Sequence, residues 1–420
     1  MENDRLILGE NVTFSTDSNE TGLNNNILVC GGSGSGKTMS ISEPRLLETF
    51  NSSVIATVTK RRLVTKYKPV FEQRGYVVED LNFIQPAESN VSFDPLKYVK
   101  RHSDITFLAE AIVKATPQKE NSNADPYWDD AAISLLSAEI AYILMNNPQA
   151  TFIDLLEFHD SIEIKEKSEH LETSIDRKFE ILAMKAPNCF AVSCWKTFHH
   201  LPYRTAGCVF SVLNTMIDTI FTPELRKLIA IEKKVDFEQL ATRKTALFIS
   251  TSAVNPSLNC FVNMFYAQAF KSLFEFAEKQ SYSRLPIPVN FICDDFATGS
   301  PILNFPEYIS IMREARISVC LLIQSESQLE SLYGSEDATT IINNCDTYIY
   351  MGGMDLKTGR AISERLNAPL EEVLYMPIGK EIIFRRGQRP IIAERYNILQ
   401  NDMYQSITEQ YENTVKIGER

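Results

Sequence analysis

The sequence predicts an α/β protein built on a mostly parallel sheet, with a separate helical domain inserted into it. Three observations support this prediction. In the N-terminal part, apolar runs of strand length at Asn26–Cys30, Ser53–Thr57 and Tyr76–Leu81 alternate with helical segments. The stretch 103–200 has the apolar period of helices instead. After it, near-continuous apolar strands return, which is typical of strands buried on both faces.

The N-terminal strands are joined by two predicted helices. The first begins at Lys37, directly after a glycine-rich turn, and the second is a basic stretch from Arg61 to Arg74 that Gly75 ends. Strand, helix, strand, helix and strand in this order predict a parallel sheet with right-handed crossovers.

The middle of the chain is predicted to be all-α. Its four helical segments are Ile105–Ala115, Asp129–Met145, Phe152–Phe158 and Ile175–Met184. We therefore expect an all-α domain at residues 102–205, between the two parts of a nucleotide-binding domain at 1–101 and 206–420.

The C-terminal part returns to the α/β pattern. Its predicted strands are Thr245–Thr251, Pro288–Cys293, Ile317–Ile323 and Asp346–Met351, followed by a closing hairpin of Glu381–Phe384 and Pro390–Ala393. Leu258–Phe276 is apolar on nearly every side, so we expect a buried helix. The tail after Asn401 is polar and is expected to be loosely held.

Composition limits the class of protein. The hydrophobic share of 44% and the charged share of 23% are ordinary for a globular protein. A net charge of −12 argues against a protein that wraps duplex DNA, although a narrow basic channel inside an acidic body stays possible. The eight cysteines have no Cys-x-x-Cys spacing, which predicts reduced, buried thiols and no structural zinc.

No targeting or membrane segment is recognisable in the sequence. The N-terminus lacks the basic start and apolar stretch of a signal peptide. Apolar segments run about a dozen residues, short of the roughly 20 that a membrane-spanning helix needs. We therefore expect a soluble, cytoplasmic protein.

One motif predicts nucleotide binding. The pattern Gly-x-x-x-x-Gly-Lys-Thr is matched by Gly31, Gly32, Ser33, Gly34, Ser35, Gly36, Lys37 and Thr38, between a predicted strand and a predicted helix. Glycines allow backbone N–H groups to surround phosphate oxygens, and the helix N-terminus adds partial positive charge. Lys37 is expected to reach the β- and γ-phosphates of ATP, and the Thr38 hydroxyl to bind Mg²⁺.

Hydrolysis also needs carboxylates near the phosphates, and we expect them on a strand adjacent to that of the phosphate loop. Asp294 and Asp295 end an apolar predicted strand. Asp294 is the candidate Mg²⁺ ligand, and Asp295 is the candidate group that orients and polarises the attacking water.

Two further side chains are weaker candidates. Gln324 ends the next strand and is a candidate sensor of the γ-phosphate, although a glutamine at a strand end is more often structural. Arg313 precedes that strand. It is a candidate arginine finger supplied across a subunit interface, although taken alone it is more simply a solvated helix-end charge.

Several motifs in a fixed order resemble the type IV coupling proteins of bacterial conjugation and secretion, the TraG/TraD-like ATPases. Cys293–Ala297 resembles the family's second nucleotide motif, Asp-Glu-Phe-Ala, and Leu322–Ser325 resembles its glutamine motif. The other matching segments are Asn24–Val29, Ser92–Leu96, Tyr127–Ala132, Gln328–Leu329, Tyr333–Gly334, Asn344–Thr347 and Gly352–Gly353.

The resemblance implies a RecA-like domain interrupted by an all-α domain. It implies that six copies form a ring around a channel, with Arg313 at the family's arginine-finger position. The implied partners are single- or double-stranded DNA carrying a relaxase, and the components of a type IV secretion channel.

The chain departs from the family in three places. It lacks the usual N-terminal membrane anchor, so we expect a separate membrane protein to dock it, at most peripherally at the inner face of the cell membrane. The catalytic glutamate of the second motif is Asp295, one methylene shorter. Where the family often has Asp-Pro-Lys-Gly, this chain has Val58-Thr59-Lys60-Arg61.

Other charged residues are interpreted as structural. Asp129 and Asp130 are adjacent on a helix and point in different directions, so they are a poor carboxylate pair. Trp128 is expected to anchor the packing of the helical domain. The runs Lys60-Arg61-Arg62 and Arg385-Arg386 are candidates for lining a DNA path, but such runs are more often solvated surfaces.

The leading hypothesis is a coupling ATPase that links ATP hydrolysis to delivery of DNA or protein substrates. The alternative is a nucleotide-gated receptor or adaptor with little or no hydrolysis, which Asp295 and the acidic composition favour. A third hypothesis, a chromosome-partition or packaging pump, fits the Trp128 and Asp346 segments less well.

Overall fold

The structure is a computed structural model that describes residues 4–115, 126–167, 170–251 and 257–418. The strands in this part of the chain are β1 Arg5–Gly9, β2 Val12–Ser15, β3 Ile27–Cys30, β4 Ser53–Val58, β5 Val77–Asn82, β6 Ile164–Lys167, β7 His170–Thr173, β8 Thr245–Ser250, β9 Val289–Cys293, β10 Ile317–Ile323, β11 Thr347–Tyr350, β12 Lys380–Arg385 and β13 Ile391–Glu394.

The helices of the same part vary from a single turn to more than twenty residues. They are α1 Ser18–Thr21, α2 Glu43–Leu47, α3 Arg62–Gln73, α4 His102–Val113, α5 Pro126–Asn146, α6 Phe152–Asp160, α7 Asp176–Lys185, α8 Phe190–His199, α9 Tyr203–Ile220, α10 Pro223–Ile229, α11 Phe237–Thr242, α12 Ser257–Glu278, α13 Phe305–Ala315, α14 Glu326–Tyr333, α15 Ser335–Asn343, α16 Leu356–Leu366, α17 Leu370–Leu374 and α18 Asp402–Gly418.

The chain divides into two compact units. The sheet unit comprises residues 1–85, 236–254 and 269–420, and the helical unit comprises residues 86–235 and 255–268. The helical unit contains the whole segment 102–205 that the sequence analysis assigned to an all-α domain.

A nine-stranded sheet, in the order β13-β12-β11-β3-β10-β9-β4-β8-β5, organises the described part of the sheet unit. The seven strands from β11 to β5 are parallel, and β12 and β13 are antiparallel additions at one edge. Every residue of β4, β8 and β10 is buried, as expected for strands covered on both faces. The predicted mostly parallel α/β fold is therefore confirmed, and so is the closing hairpin.

One local expectation for this unit is confirmed and one is wrong. The helix expected from Lys37 begins at Thr38, but its first turn, Thr38–Ser42, is π-helical and precedes α2. Pro44 has no N–H to give to the Ser40 carbonyl, so it disfavours the α pattern here. The tail after Asn401 is not loosely held, because α18 buries Tyr404 and Ile407 in the core, and the Lys66 Nζ lies 3.3 Å from the centre of the Tyr404 ring.

The helical unit is built around α5, which packs against α4, α6, α8 and α9. The described residues of this unit also include one short antiparallel pair, β6 with β7, that the sequence analysis did not predict. The buried tryptophan is Trp195, which stacks on Phe179 at 5.5 Å. Trp128 is 37% exposed, so its predicted anchoring role is wrong.

Within the described ranges, no helix taken singly is long and apolar enough to cross a bilayer. Two consecutive helices, Tyr203–Ile220 and Pro223–Ile229, are bent by 72° relative to each other. They meet this criterion of length and composition only when they are taken together.

Candidate nucleotide site

The glycine-rich loop that follows β3 is tied to the strands on both of its sides. The N–H of Gly31 donates to the carbonyl of Ile323 at 3.1 Å, and the N–H of Gly32 donates to the carbonyl of Gly352 at 2.9 Å. Ile323 ends β10, and Gly352 lies just beyond β11. The loop therefore starts from the centre of the carboxyl edge of the parallel sheet, where α/β proteins bind ligands.

Three of the glycines in this loop are needed for its shape. A Cβ at Gly31 would lie 2.7 Å from the Ser35 Oγ and 2.9 Å from the Met351 Cβ, so no larger residue fits there. Gly34 and Gly36 have φ values of 75° and 85°, in the left-handed region that side chains disfavour. These backbone conformations allow successive N–H groups to face one anion.

Lys37 lies folded against its own loop. Its Nζ donates to the carbonyl of Gly31 at 2.5 Å and to the carbonyl of Gly32 at 3.2 Å, and the residue is 9% exposed. Burial lowers the pKa of Lys37, while the negative charges of Asp295 and Asp294 act in the opposite direction. The ammonium group is therefore within electrostatic reach of both aspartates.

The loop has polar groups that suit a phosphate. In the described part of the chain, the Ser35 Oγ is buried without a hydrogen-bond partner, which is uncommon for a hydroxyl. Thr38 begins the π-helical turn, beside Lys37. A buried hydroxyl without a partner, a lysine and a threonine hydroxyl at a helix start fit a nucleotide phosphate with its Mg²⁺.

The two aspartates form a strained turn directly after β9. Asp295 has a φ of 51°, and its backbone N–H donates to the Asp294 carboxylate. Burial, and then the charge of Asp295, raises the pKa of Asp294 to about 6, while Lys37 opposes that shift. Two carboxylates crowded into one turn favour a divalent cation, which would relieve their repulsion.

One strand separates the phosphate loop from the aspartates. The sheet order is β3-β10-β9, so the expectation that they lie on adjacent strands is wrong. Both are nevertheless tied to the end of β10, because Gly31 donates to Ile323 and the N–H of Phe296 donates to the carbonyl of Leu322 at 3.0 Å. Neighbouring strands lie roughly 5 Å apart, so the gap of about 10 Å suits a metal-bound triphosphate.

Gln324 and Arg313 lie at opposite edges of the sheet. Gln324 directly follows β10, between the loop and the aspartates, and is exposed. Arg313 is near the end of α13, just before β10 begins, and its guanidinium donates to the Ser18 carbonyl at 3.2 Å. The structure therefore does not bring Arg313 to the phosphate loop of its own chain.

The sequence analysis did not assign two nearby cations to the site. Lys60, two residues beyond β4, is a positive charge that lowers the pKa of Asp294. Arg395 donates to the carbonyl of Ser35 at 2.6 Å, inside the phosphate loop. In the alignment with the family's Asp-Pro-Lys-Gly segment, Lys60 takes the position of the lysine, and that match could have indicated its role. Arg395 belongs to no motif, and only the fold brings it to the loop.

The two predicted basic runs are largely occupied by structural contacts. Arg61 pairs with Asp80 at 2.5 Å. The Arg385 guanidinium is buried over the Phe14 ring at 3.8 Å, and Arg386 pairs with Asp346 at 2.9 Å. Lys60, Arg62 and Arg386 are nevertheless exposed, as expected for such runs, and only Arg385 is buried.

The chain is similar to known proteins in sequence and in fold. A protein-family model described as "Type IV secretory system Conjugative DNA transfer" matches residues 2–368. The type IV secretion system-coupling protein VirD4 of Bartonella henselae is 21% identical over an alignment of 421 residues that covers 94% of this chain. That alignment covers 61% of the relative, so the chain spans less than two thirds of the VirD4 protein.

Solved structures of the plasmid coupling protein TrwB share the fold. Its complex with the ATP analogue ADPNP matches with a TM-score of 0.66 at 14% identity, and its complex with ADP and Mg²⁺ with 0.61 at 15%. Both comparisons cover 89% of this chain and 85% of TrwB. Because the family model matches most of the length of this chain, the chain belongs to the family of type IV secretory system conjugative DNA transfer proteins.

Proposed function

We propose that this chain is a coupling ATPase that links ATP hydrolysis to the delivery of relaxase-bound DNA, or of protein, to a type IV secretion channel. One observation carries the proposal: the phosphate loop and the aspartate turn are both hydrogen-bonded to the end of β10, with Lys37 in the electrostatic field of both aspartates. TrwB, which shares the fold, has been solved with ADPNP and with ADP and Mg²⁺, which supports ATP and Mg²⁺ as the cofactors.

The loop residues bind the nucleotide. The backbone N–H groups of Ser33, Gly34 and Gly36 and the Ser35 hydroxyl hold phosphate oxygens, and Lys37 leaves the loop carbonyls to reach the β- and γ-phosphates. Thr38 and Asp294 hold Mg²⁺, which neutralises charge on the phosphate oxygens when bound.

The residues beyond β9 and β10 prepare the attacking water. Asp295 orients the water and accepts its proton, and Gln324 contacts the water and the γ-phosphate from the next strand end. Arg313 belongs to a neighbouring subunit's site, because within its own chain it lies at the other edge of the sheet. This role requires a ring, and a homo-hexamer is the assembly that we propose.

The proposal is tested by ATP hydrolysis with and without DNA. We expect wild-type protein to hydrolyse ATP, faster with DNA, and Lys37→Ala to reduce the rate by about 100-fold or more because the phosphate charge loses its cation. Lys68→Ala, which removes an exposed lysine of α3, is the matched control and should leave the rate unchanged. Hydrolysis unchanged in Lys37→Ala would contradict the assignment.

A nucleotide-gated receptor with little hydrolysis is the second candidate. The observation that favours it is Asp295, whose carboxylate is one methylene shorter than the family's glutamate. The Asp295→Glu variant separates the two: a large gain in turnover with unchanged ADPNP affinity would favour the receptor, and an unchanged or lower turnover would favour the ATPase.

A further inference from the structure

Arg395 connects the closing hairpin to the phosphate loop. It directly follows β13, the outermost strand of the sheet, yet its side chain reaches a loop that starts three strands away. The Nη1 donates to the Ser35 carbonyl and the Nη2 to the Met351 carbonyl, both at 2.6 Å. The Nε donates to the Lys380 carbonyl at 3.1 Å.

These three hydrogen bonds hold three separate segments at fixed positions. Ser35 is in the phosphate loop, Met351 directly follows β11, and Lys380 begins β12. The guanidinium group is planar and presents its N–H groups in a rigid fork, so one side chain sets the distances between all three carbonyls. A lysine presents its N–H groups from one nitrogen atom, so it cannot reach three carbonyls in this fixed arrangement.

The contact with Ser35 also fixes the direction of an N–H group. In a trans peptide the C=O of Ser35 and the N–H of Gly36 point in opposite directions. Because Arg395 binds that carbonyl, the N–H of Gly36 points away from Arg395. Gly36 has a φ of 85° and no side chain to restrain it, so this peptide plane depends on an outside contact.

A buried carboxyl group accompanies Arg395. Glu381 is 0% exposed, and in the described part of the chain neither of its carboxyl oxygens has a hydrogen-bond partner. A Cβ at Gly9 would lie 2.7 Å from the Glu381 Oε1, so the backbone closes over this group. Burial raises the pKa of Glu381 to about 8, and the positive charge of Arg395 acts against that shift.

We propose that Arg395 is a positioning residue that holds the phosphate loop in its nucleotide-binding form by fixing the Ser35–Gly36 peptide. This inference rests on the proposed nucleotide binding at the loop. It means that the closing hairpin contributes to the affinity of the loop for nucleotide phosphates. No motif in the sequence indicates this contribution. Arg395 acts through the loop and does not touch the reacting atoms.

The test compares arginines of the same hairpin in the full chain. The Kd for Mg²⁺-ADPNP, and the KM and kcat for ATP, are measured for wild type, Arg395→Ala, Arg395→Lys and Arg389→Ala. Arg389 is exposed in the turn between β12 and β13, so its loss is the matched control. We expect Arg395→Ala to raise Kd and KM by about 10-fold or more with a smaller change in kcat, and Arg389→Ala to change neither.

Arg395→Lys should recover part of the affinity, because one ammonium group can still donate to the Ser35 carbonyl. A merely structural role would reduce the number of binding sites per chain and leave the Kd of the folded fraction unchanged. A Kd for Arg395→Ala within about twofold of wild type would therefore overturn the inference.

If Arg395→Ala does not fold, Arg395→Gln takes its place with the same expected rise in Kd, since the glutamine amide has two N–H groups on a shorter side chain and cannot hold three carbonyls. Binding of nucleotide by wild type that Lys37→Ala abolishes and Arg395→Ala leaves intact would overturn this inference alone. Absence of nucleotide binding by wild type would overturn the proposed function as well.

Discussion

Two aspartates at opposite edges of the same sheet have opposite surroundings. Asp346 directly precedes β11 at the amino edge, is 4% exposed, and accepts from the backbone N–H of Asn24 at 2.6 Å and the Arg386 Nε at 2.9 Å. Asp294 directly follows β9 at the carboxyl edge. Its side-chain neighbour is a second carboxylate, Asp295, and burial with that charge raises its pKa to about 6.

The two edges also differ in the partners of their polar side chains, although the buried Arg385 Nε at the amino edge has no partner among the described residues. At the amino edge, Asn26, Ser318 and Asn290 are joined to backbone and to one another by hydrogen bonds. At the carboxyl edge, the Ser35 hydroxyl is buried without a partner in the described part of the chain, and two carboxylates share one turn. Polar groups left in this way lower stability, and such sites are characteristic of ligand binding.

The largest expected effect is at Asp294. In Asp294→Asn we expect ATP hydrolysis to fall by about 100-fold or more, because the Mg²⁺ shell loses a charged ligand. The free energy of unfolding without nucleotide should rise by about 1 kcal/mol, because a buried carboxylate beside Asp295 is replaced by a neutral amide. Steady-state kinetics measures the hydrolysis rate, and urea unfolding measures the free energy of unfolding. If Asp294→Asn were less stable than wild type, Asp294 would contribute to stability as Asp346 does, and the proposed difference between the carboxyl and amino edges would be wrong.

The corresponding change at the amino edge should act on stability alone. In Asp346→Asn we expect the free energy of unfolding to fall by about 1–3 kcal/mol, because the Asn24 N–H and Arg386 lose a charged acceptor. The KM for ATP should stay within about twofold of wild type. Urea unfolding and steady-state kinetics check both, and a tenfold change in KM would show that the two edges are coupled.

The smallest expected effect is at Glu381. Burial raises its pKa to about 8 from 4.5, so the unfolded chain loses this proton at lower pH than the folded chain, and stability falls as pH rises between those values. Glu381→Gln removes this dependence and should be more stable than wild type by about 1 kcal/mol at pH 8, with little difference at pH 5. Urea unfolding at both pH values measures the gain.

Glu394→Gln is the matched control for Glu381→Gln, because Glu394 is an exposed residue of β13 that pairs with Lys380. An equal gain at pH 8 in both variants would show that the effect comes from overall charge and not from the buried carboxyl group.

Local chemistry could be predicted from the sequence because it depends on contiguous residues. The run Gly31–Thr38 specifies the loop, and the acids that end β9 specify the turn. Strand order could not be predicted, because β10 inserts between β3 and β9 through crossovers that no local pattern records. Because β10 lies between them, the phosphate loop and the aspartate turn are each hydrogen-bonded to the end of β10. Loops on adjacent strands, as the sequence analysis expected, would not need this intermediate strand.

Contacts between residues that are distant in sequence could not be predicted either. Arg395 meets Ser35 across 360 positions, and the partner of Arg386 is set by the register of β12 on β11. The C-terminal helix looked polar because, among its described side chains, only Tyr404 and Ile407 are buried. A short apolar stripe of this kind is easily overlooked among glutamates and glutamines.

The central claim is that the phosphate loop and the aspartate turn, held on either side of the end of β10, bind one metal–nucleotide complex together. Calorimetric titration of ADPNP with and without Mg²⁺ tests it most directly. We expect Mg²⁺ to tighten binding by about 10-fold or more in wild type and in Asp346→Asn, and to have little effect in Asp294→Asn. An undiminished Mg²⁺ effect in Asp294→Asn would contradict the account.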